Sequence, residues 1–204
     1  MKTAFTLLLF FLINVKTGYS QADLKLSHQI DSLSAEDQKW RNEFNQADKM
    51  QLNTATRKSI LKKVMLWDSL NYPMLKKIFH EHGYPGYDVV GKKSAHNFWL
   101  LVQYQDKHPG FQDSVLVKMK MEVDKKNASS ADYAKLVDKV KVNAKQLQVY
   151  GTQLQINKGS TSYEPKPVME PEKLNERRKS VGLSSIEEYI ELMNSGYFEP
   201  AKKK

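Results

Sequence analysis

The chain has 204 residues, 40% of them apolar and 10% aromatic, with a formal charge of +9. That length and apolar content suit a folded domain with a sizeable core and exclude a disordered chain. The sequence holds no cysteine, which excludes disulfides, thiolate nucleophiles and cysteine-ligated metals.

Chain order begins with an export signal. Lys2 supplies a positive start, Ala4 to Val15 is an uncharged apolar run, and Gly18-Tyr19-Ser20 places small residues where a signal peptidase cuts. The run is short of the ~20 apolar residues needed to span a bilayer. Residues 1–20 are therefore expected to be a cleaved signal peptide, leaving no transmembrane anchor and a product beginning at Gln21. The expected location is periplasmic or extracellular.

Residues 21–50 form an N-terminal helical segment, with Leu24, Leu26, Ile30 and Leu33 as a loose apolar stripe. Ser34 and Asp37 resemble a capping box that opens a second helix through Trp40 and Phe44. Residues 51–195 follow as one globular, mostly α unit. Thr54 to Leu70 has helical spacing, Asn71-Tyr72-Pro73 is expected to break it, and Met74 to His82 resumes a helix that Gly83 ends. After a turn-rich stretch containing Gly86 and Gly91, Ser94 is the expected cap of a helix running to Gln105. The centre of that helix, Phe98 to Val102, is apolar on every side, which marks a buried helix and the centre of the core.

Pro109 to Val123 has both alternating and helical apolar spacing; its Lys, Met and Glu content favours helix. Ser129-Ser130 cap an amphipathic helix carrying Tyr133, Leu136, Val137, Val140, Ala144 and Leu147. A small β-hairpin is expected near residues 148–166, with Asn157 to Ser160 as its turn. Two short helices, Pro171–Ser180 and Ser184–Met193, precede a flexible basic tail over 196–204. The fold class is mostly α (α+β): a helical domain with one small hairpin.

The charge is carried mainly by lysines scattered along helical faces, as in Lys62-Lys63 and Lys76-Lys77; only Arg41, Arg57, Arg177 and Arg178 are arginines. Nucleic-acid readers lean on arginine for bidentate contacts, so no nucleic-acid partner is expected. Solvated helix surface, or weak attraction to anionic envelope polymers, accounts for the lysines. GxSxG, P-loop, HExxH and GxGxxG patterns are missing from the sequence. His80-Glu81-His82 would point its two histidines about 200° apart on a helix, so no metal and no cofactor is expected. Asn127-Ala128-Ser129 matches a glycosylation acceptor, a tripeptide frequent by chance.

Polar residues lodged among apolar ones are the stronger signal. His96 and Gln103 flank Trp99 on one helix, Asp138 and Asn143 lie on the later amphipathic helix, and Gln148, Tyr150 and Gln153 lie on the hairpin. They form either a set of satisfied structural hydrogen bonds or a pocket for a polar ligand. Either way, Gln103, Asp138 and Gln148–Gln153 are expected to face one another.

The pattern Gly91…Trp99, Gln103-Tyr104-Gln105-Asp106, Pro109, Phe111-Gln112, Asp138-Lys139, Gln148 and Tyr150-Gly151-Thr152-Gln153 resembles an uncharacterised bacterial family, domain of unknown function 6624. Asn175-Glu176-Arg177-Arg178, Val181-Gly182-Leu183 and Tyr189 continue the resemblance, which covers roughly residues 55–192. It implies a site that also includes Tyr104 and Asp106, without implying an activity. The family commonly has His after the first Gln and Arg after the Asp; Tyr104 and Lys139 stand there instead. Tyrosine, with an unperturbed pKa near 10, is a poor acid or base at neutral pH. Two functions follow. One is a non-catalytic binding or interaction module for a polar ligand or cell-envelope partner. The other is a hydrolase-like enzyme using Asp106 or Asp138 with Tyr150 or His96.

Overall fold

The computed structural model describes residues 23–157, 159 and 161–198. The expected signal peptide and residues 199–204 of the expected tail lie outside the described residues. Seven helices and one hairpin make up the described chain: α1 (Leu24–Lys49), α2 (Thr54–His82), α3 (Tyr87–Val102), α4 (Pro109–Asp124), α5 (Ser130–Asn143), β1 (Leu154–Ile156), β2 (Tyr163–Pro165), α6 (Leu174–Ser180) and α7 (Ile186–Phe198). The protein is thus mostly α with a small antiparallel hairpin, as its sequence predicts. No helix of the described residues is long and apolar enough to cross a membrane.

Local chemistry sets the helix starts. Asp23 accepts from the Leu26 amide at the start of α1, and Asn53 accepts from Thr56 at the start of α2. Ser129 caps α5 by accepting from Asp132, as expected. α4 is a helix; its Val115 and Met119 are buried while Val117 and Met121 face out.

Five expected boundaries differ. Ser34 and Asp37 open no second helix, because both are buried inside a continuous α1. Asp37 uses its carboxylate on Arg41 instead of on a backbone amide. Pro73 does not break α2. It sits on the exposed side of the helix with Ser69, whose carbonyl loses its helical partner there and can meet water. Ser94 is buried within α3 and does not cap it; the break falls three residues earlier at Gly91, whose φ of 76° and ψ of 165° only glycine adopts readily. α3 then ends at Val102, leaving Gln103 to His108 as a loop, and α5 ends at Asn143, short of Leu147.

β1 and β2 pair in antiparallel register, with Leu154 opposite Pro165, Gln155 opposite Glu164 and Ile156 opposite Tyr163. α1 packs on α2 and α3, and α4 packs on α5. Phe98, Leu101 and Val102 of α3 lie at the centre, against Ile30 of α1, Leu75 and Ile78 of α2, Val115 and Met119 of α4 and Leu136 of α5. Trp99, at 4% exposure, closes the same core. Trp99→Ala should cost about 3–5 kcal/mol in denaturant unfolding. A loss below about 1 kcal/mol would show that α3 is peripheral.

Candidate functional site

Two polar regions of opposite character share this scaffold. The first is closed. Asp138, fully buried on α5, accepts from three backbone amides: Val149 at 2.7 Å, Tyr150 at 2.9 Å and Thr152 at 2.9 Å. Gln148, also fully buried, donates to the carbonyls of Gln153 (3.0 Å) and Lys166 (2.7 Å) and accepts from the Gln153 amide (2.9 Å). The buried Arg178 of α6 donates to the carbonyls of Tyr150 (2.7 Å) and Ser184 (2.6 Å). Arg177 donates to Val149, and the Tyr189 hydroxyl of α7 donates to Thr152. Gly151 belongs here by space and by φ, which is 66°: a Cβ would lie 3.2 Å from the Leu174 side chain. The Tyr-Gly-Thr-Gln block is therefore a backbone wired into place. Gln153 enters mainly through its backbone, and its side chain reaches only Thr152 Oγ1 at 3.3 Å.

The second region is open, and Asp106 of the α3–α4 loop is its centre. Its Oδ1 accepts from Asn143 Nδ2 (3.0 Å) and Gln112 Nε2 (3.4 Å), and its Oδ2 pairs with Lys139 Nζ at 3.1 Å. Gln112 is buried and also donates to the carbonyls of Val102 and Gln103. On one side of Asp106 lies a cleft of about 450 Å³ between α4 and α5, lined by apolar Pro109, Leu116 and Val140 and polar Asp113, Lys141 and Asn143, among others. On the other side a cleft of about 210 Å³ runs between the loop and α2; Met65, Asp68, Ser69, Gln105 and His108 line it.

The smaller cleft rests on a charged staple. Arg41 of α1 pairs with buried Asp37 (2.8 Å) and with Asp68 of α2, and its guanidinium stacks 3.2 Å from the Tyr104 ring centroid. Burial lifts the Asp68 carboxyl above the usual carboxylate range; Arg41 opposes the rise, while the charges of Asp37 and Asp106 add to it. Burial also raises the Tyr104 phenol, with Arg41 opposing, so Tyr104 keeps its proton at neutral pH. His108 stacks flat on Tyr72, ring centroids 3.4 Å apart. Gln105 is 2% exposed and its Nε2 has no hydrogen-bond partner among the described residues.

The predicted residues therefore divide. Asp138, Gln148, Tyr150 and Gln153 come together, as expected. Tyr104 and Asp106 border the open clefts. Gln103 does not join the Asp138 network; it offers its backbone carbonyl to Gln112. His96 also stands apart, with Nδ1 2.7 Å from Asp132 Oδ2 and its ring beside Trp99. The Tyr150 phenol is raised by burial, with the charges of Tyr133 and Asp138 contributing, which suits it poorly to acid–base work near neutrality. Sequence reasoning missed Arg41, Asp68, Asp132 and the burial of Arg178. Only the Asp37–Arg41 pair carried a visible signal, its i,i+4 spacing. Among the described residues no group of three or more His, Asp or Glu could hold a metal ion. Asn127 is committed to structure: its side chain bonds the Asp88 amide and carboxylate.

Comparison with known proteins identifies the lineage alone. The chain belongs to a family of unknown function (DUF6624), which matches it over residues 25–202. No curated protein and no solved structure matches the chain.

The raised Asp68 carboxyl gives a pH prediction. The folded state holds this proton more tightly than the unfolded chain, so Asp68 lowers stability as pH rises through the ordinary carboxylate pKa toward its own raised one. Asp68→Asn removes that slope. Its destabilisation, measured by urea unfolding, should be smaller at about pH 7 than at about pH 4. A larger destabilisation at the higher pH would show that the Arg41 pair outweighs burial.

Proposed function

We propose that this member of the family is an exported, non-catalytic binding module that takes a hydroxyl-rich polar ligand, such as a saccharide, in the clefts that meet at Asp106. The export part rests on Lys2, the Ala4–Val15 run and Gly18-Tyr19-Ser20.

The observation that carries the binding part is the buried, unpartnered Gln105 amide. An unmet buried donor costs roughly 1–3 kcal/mol, so it calls for an acceptor. Asp68, Asp106 and Ser69, lining the same cleft, call for donors. A hydroxyl group does both, and a chain of hydroxyls does so repeatedly. Lys139 already balances Asp106, so the ligand need carry no charge. Met65 on one side and Leu116 on the other supply the apolar surface that a sugar ring's C–H face needs. In this reading Tyr104 and Asp106 touch ligand, whereas Asp138, Gln148 and Gln153 act by holding the scaffold.

A hydrolase is the second reading, and one contact favours it: the 2.7 Å His96–Asp132 pair is the base-and-orienter half of a catalytic set. Among the described residues no hydroxyl is hydrogen-bonded to His96. Turnover of p-nitrophenyl esters that disappears in His96→Gln would establish that reading.

Two glutamines separate binding from structure. A panel of neutral mono- and disaccharides, followed by thermal shift and saturation-transfer NMR, should contain a sugar that binds the native chain. Gln105→Leu should lose that binding while keeping or raising stability, because an apolar isostere removes the unmet donor. Gln148→Leu should lose about 1–3 kcal/mol of stability, because the Gln153 amide and the Lys166 carbonyl are left unpaired. A panel without a binder, or a binder that Gln105→Leu retains, contradicts the proposal.

A further inference from the structure

The outer face of α2 has a composition unlike the rest of the helix. From Lys58 to Lys77 every exposed residue is basic, apolar or serine: Lys58, Lys62, Lys63, Lys76 and Lys77; Leu61, Met65, Leu66, Leu70, Pro73 and Met74; Ser59 and Ser69. No exposed carboxylate interrupts them. Asp68, the one acidic residue of the stretch, is half-buried and held by Arg41. Leu66, Leu70 and Met74 are 55%, 49% and 36% exposed. At 100° per residue they fall within an arc of about 80°, with Lys63 one turn before and Lys77 one turn after on the same arc. The stripe between the two lysines is about 21 Å long.

Among the described residues, Lys58, Lys62 and Lys76 have no ion-pair partner. Lys63 lies over the Trp40 ring at 4.0 Å, and Lys77 approaches Glu81, beyond the stripe, at 4.0 Å. The occupant of this face must therefore bring negative charge around an apolar centre. A second copy of the chain fits poorly, since antiparallel pairing of the stripes would set lysine against lysine at both ends. A bilayer surface with anionic headgroups fits on both counts: phosphates meet the lysines, and the acyl boundary receives the leucines and methionine.

We propose that the outer face of α2 is a membrane-surface docking site, with Leu66, Leu70 and Met74 entering the headgroup region of an anionic bilayer and the five lysines meeting lipid phosphates. The helix lies along the surface and does not cross it. Met65 and Ser69 of this face border the smaller Asp106 cleft, but Leu66, Leu70 and Met74 line neither cleft, so either assignment can fail without the other.

Vesicle co-sedimentation tests it, with vesicles of phosphatidylcholine alone and of phosphatidylcholine mixed with phosphatidylglycerol. Ala4–Val15 is itself apolar, so the comparison is between full-length chains that differ only in α2. The native chain should bind the anionic vesicles at least about tenfold more tightly than does Leu66→Gln/Leu70→Gln, and high salt should weaken that binding. Lys62→Glu/Lys76→Glu should lose a similar factor, with melting curves of both variants matching the native chain. Undiminished binding of the leucine variant would overturn the proposal, as would equal binding to phosphatidylcholine alone. A native dimer that the leucine variant converts to monomer, with no vesicle binding, would assign the face to a second copy instead.

Discussion

The structure depends on the buried carboxylate of Asp138. A carboxylate in a protein interior is tolerable only when its lone pairs are filled, and three backbone amides from one short stretch fill them here. The arrangement fixes residues 149–152 without regular secondary structure. Gln148 closes the start of that stretch onto its end, and Arg178 collects its outward carbonyls. Because Arg178 is on α6 and Tyr189 on α7, the same stretch ties the last two helices to α5. A substitution at Asp138 would release the hairpin and the C-terminal helices together.

α1 is tied in by a different device. Arg41 bridges Asp37 on its own helix and Asp68 on α2, and lies flat on Tyr104 of the α3–α4 loop. The loop that carries Gln105 and Asp106 is thereby held between this staple and the Lys139–Asn143 pair on α5. The contrast between the two polar regions is the basis for the functional assignment. Both carboxylate oxygens of Asp138 meet backbone amides; Gln105 Nε2 meets no partner among the described residues. Trp40, Asn71 and Trp99 also bury unmet polar atoms; the Gln105 amide differs in lining a cleft beside Asp68 and Asp106, where a ligand can supply the partner.

Much of the fold was legible because apolar periodicity and capping residues act locally. The all-round apolar run Phe98–Val102 became the core, Ser129 capped α5, and Gly83 ended α2. What failed was also local: Ser34–Asp37 and Asn71–Pro73 carry signals for a start and a stop that tertiary burial overrode. Asp37 is more valuable to Arg41 than to a backbone amide, and Pro73 falls on a face where its missing hydrogen bond is harmless. The site was only half visible. Asp138, Gln148 and the Tyr150–Gln153 block stood out as polar residues amid apolar ones, yet whether a glutamine is satisfied depends on contacts remote in sequence. Gln105 and Gln148 look alike in one dimension, and only packing separates them. Asp68 sits amid an ordinary helical pattern, and nothing nearby in sequence announces Arg41.

The most direct test of this distinction is the side-chain amide spectrum of the native chain during a sugar titration. Gln105 and Gln148 supply internal references within one molecule, one buried amide unpaired and one paired. The Gln105 Nε2 resonances should shift progressively to saturation while those of Gln148 stay fixed. Shifts confined to Gln148 and its neighbours, with Gln105 unmoved, would contradict it.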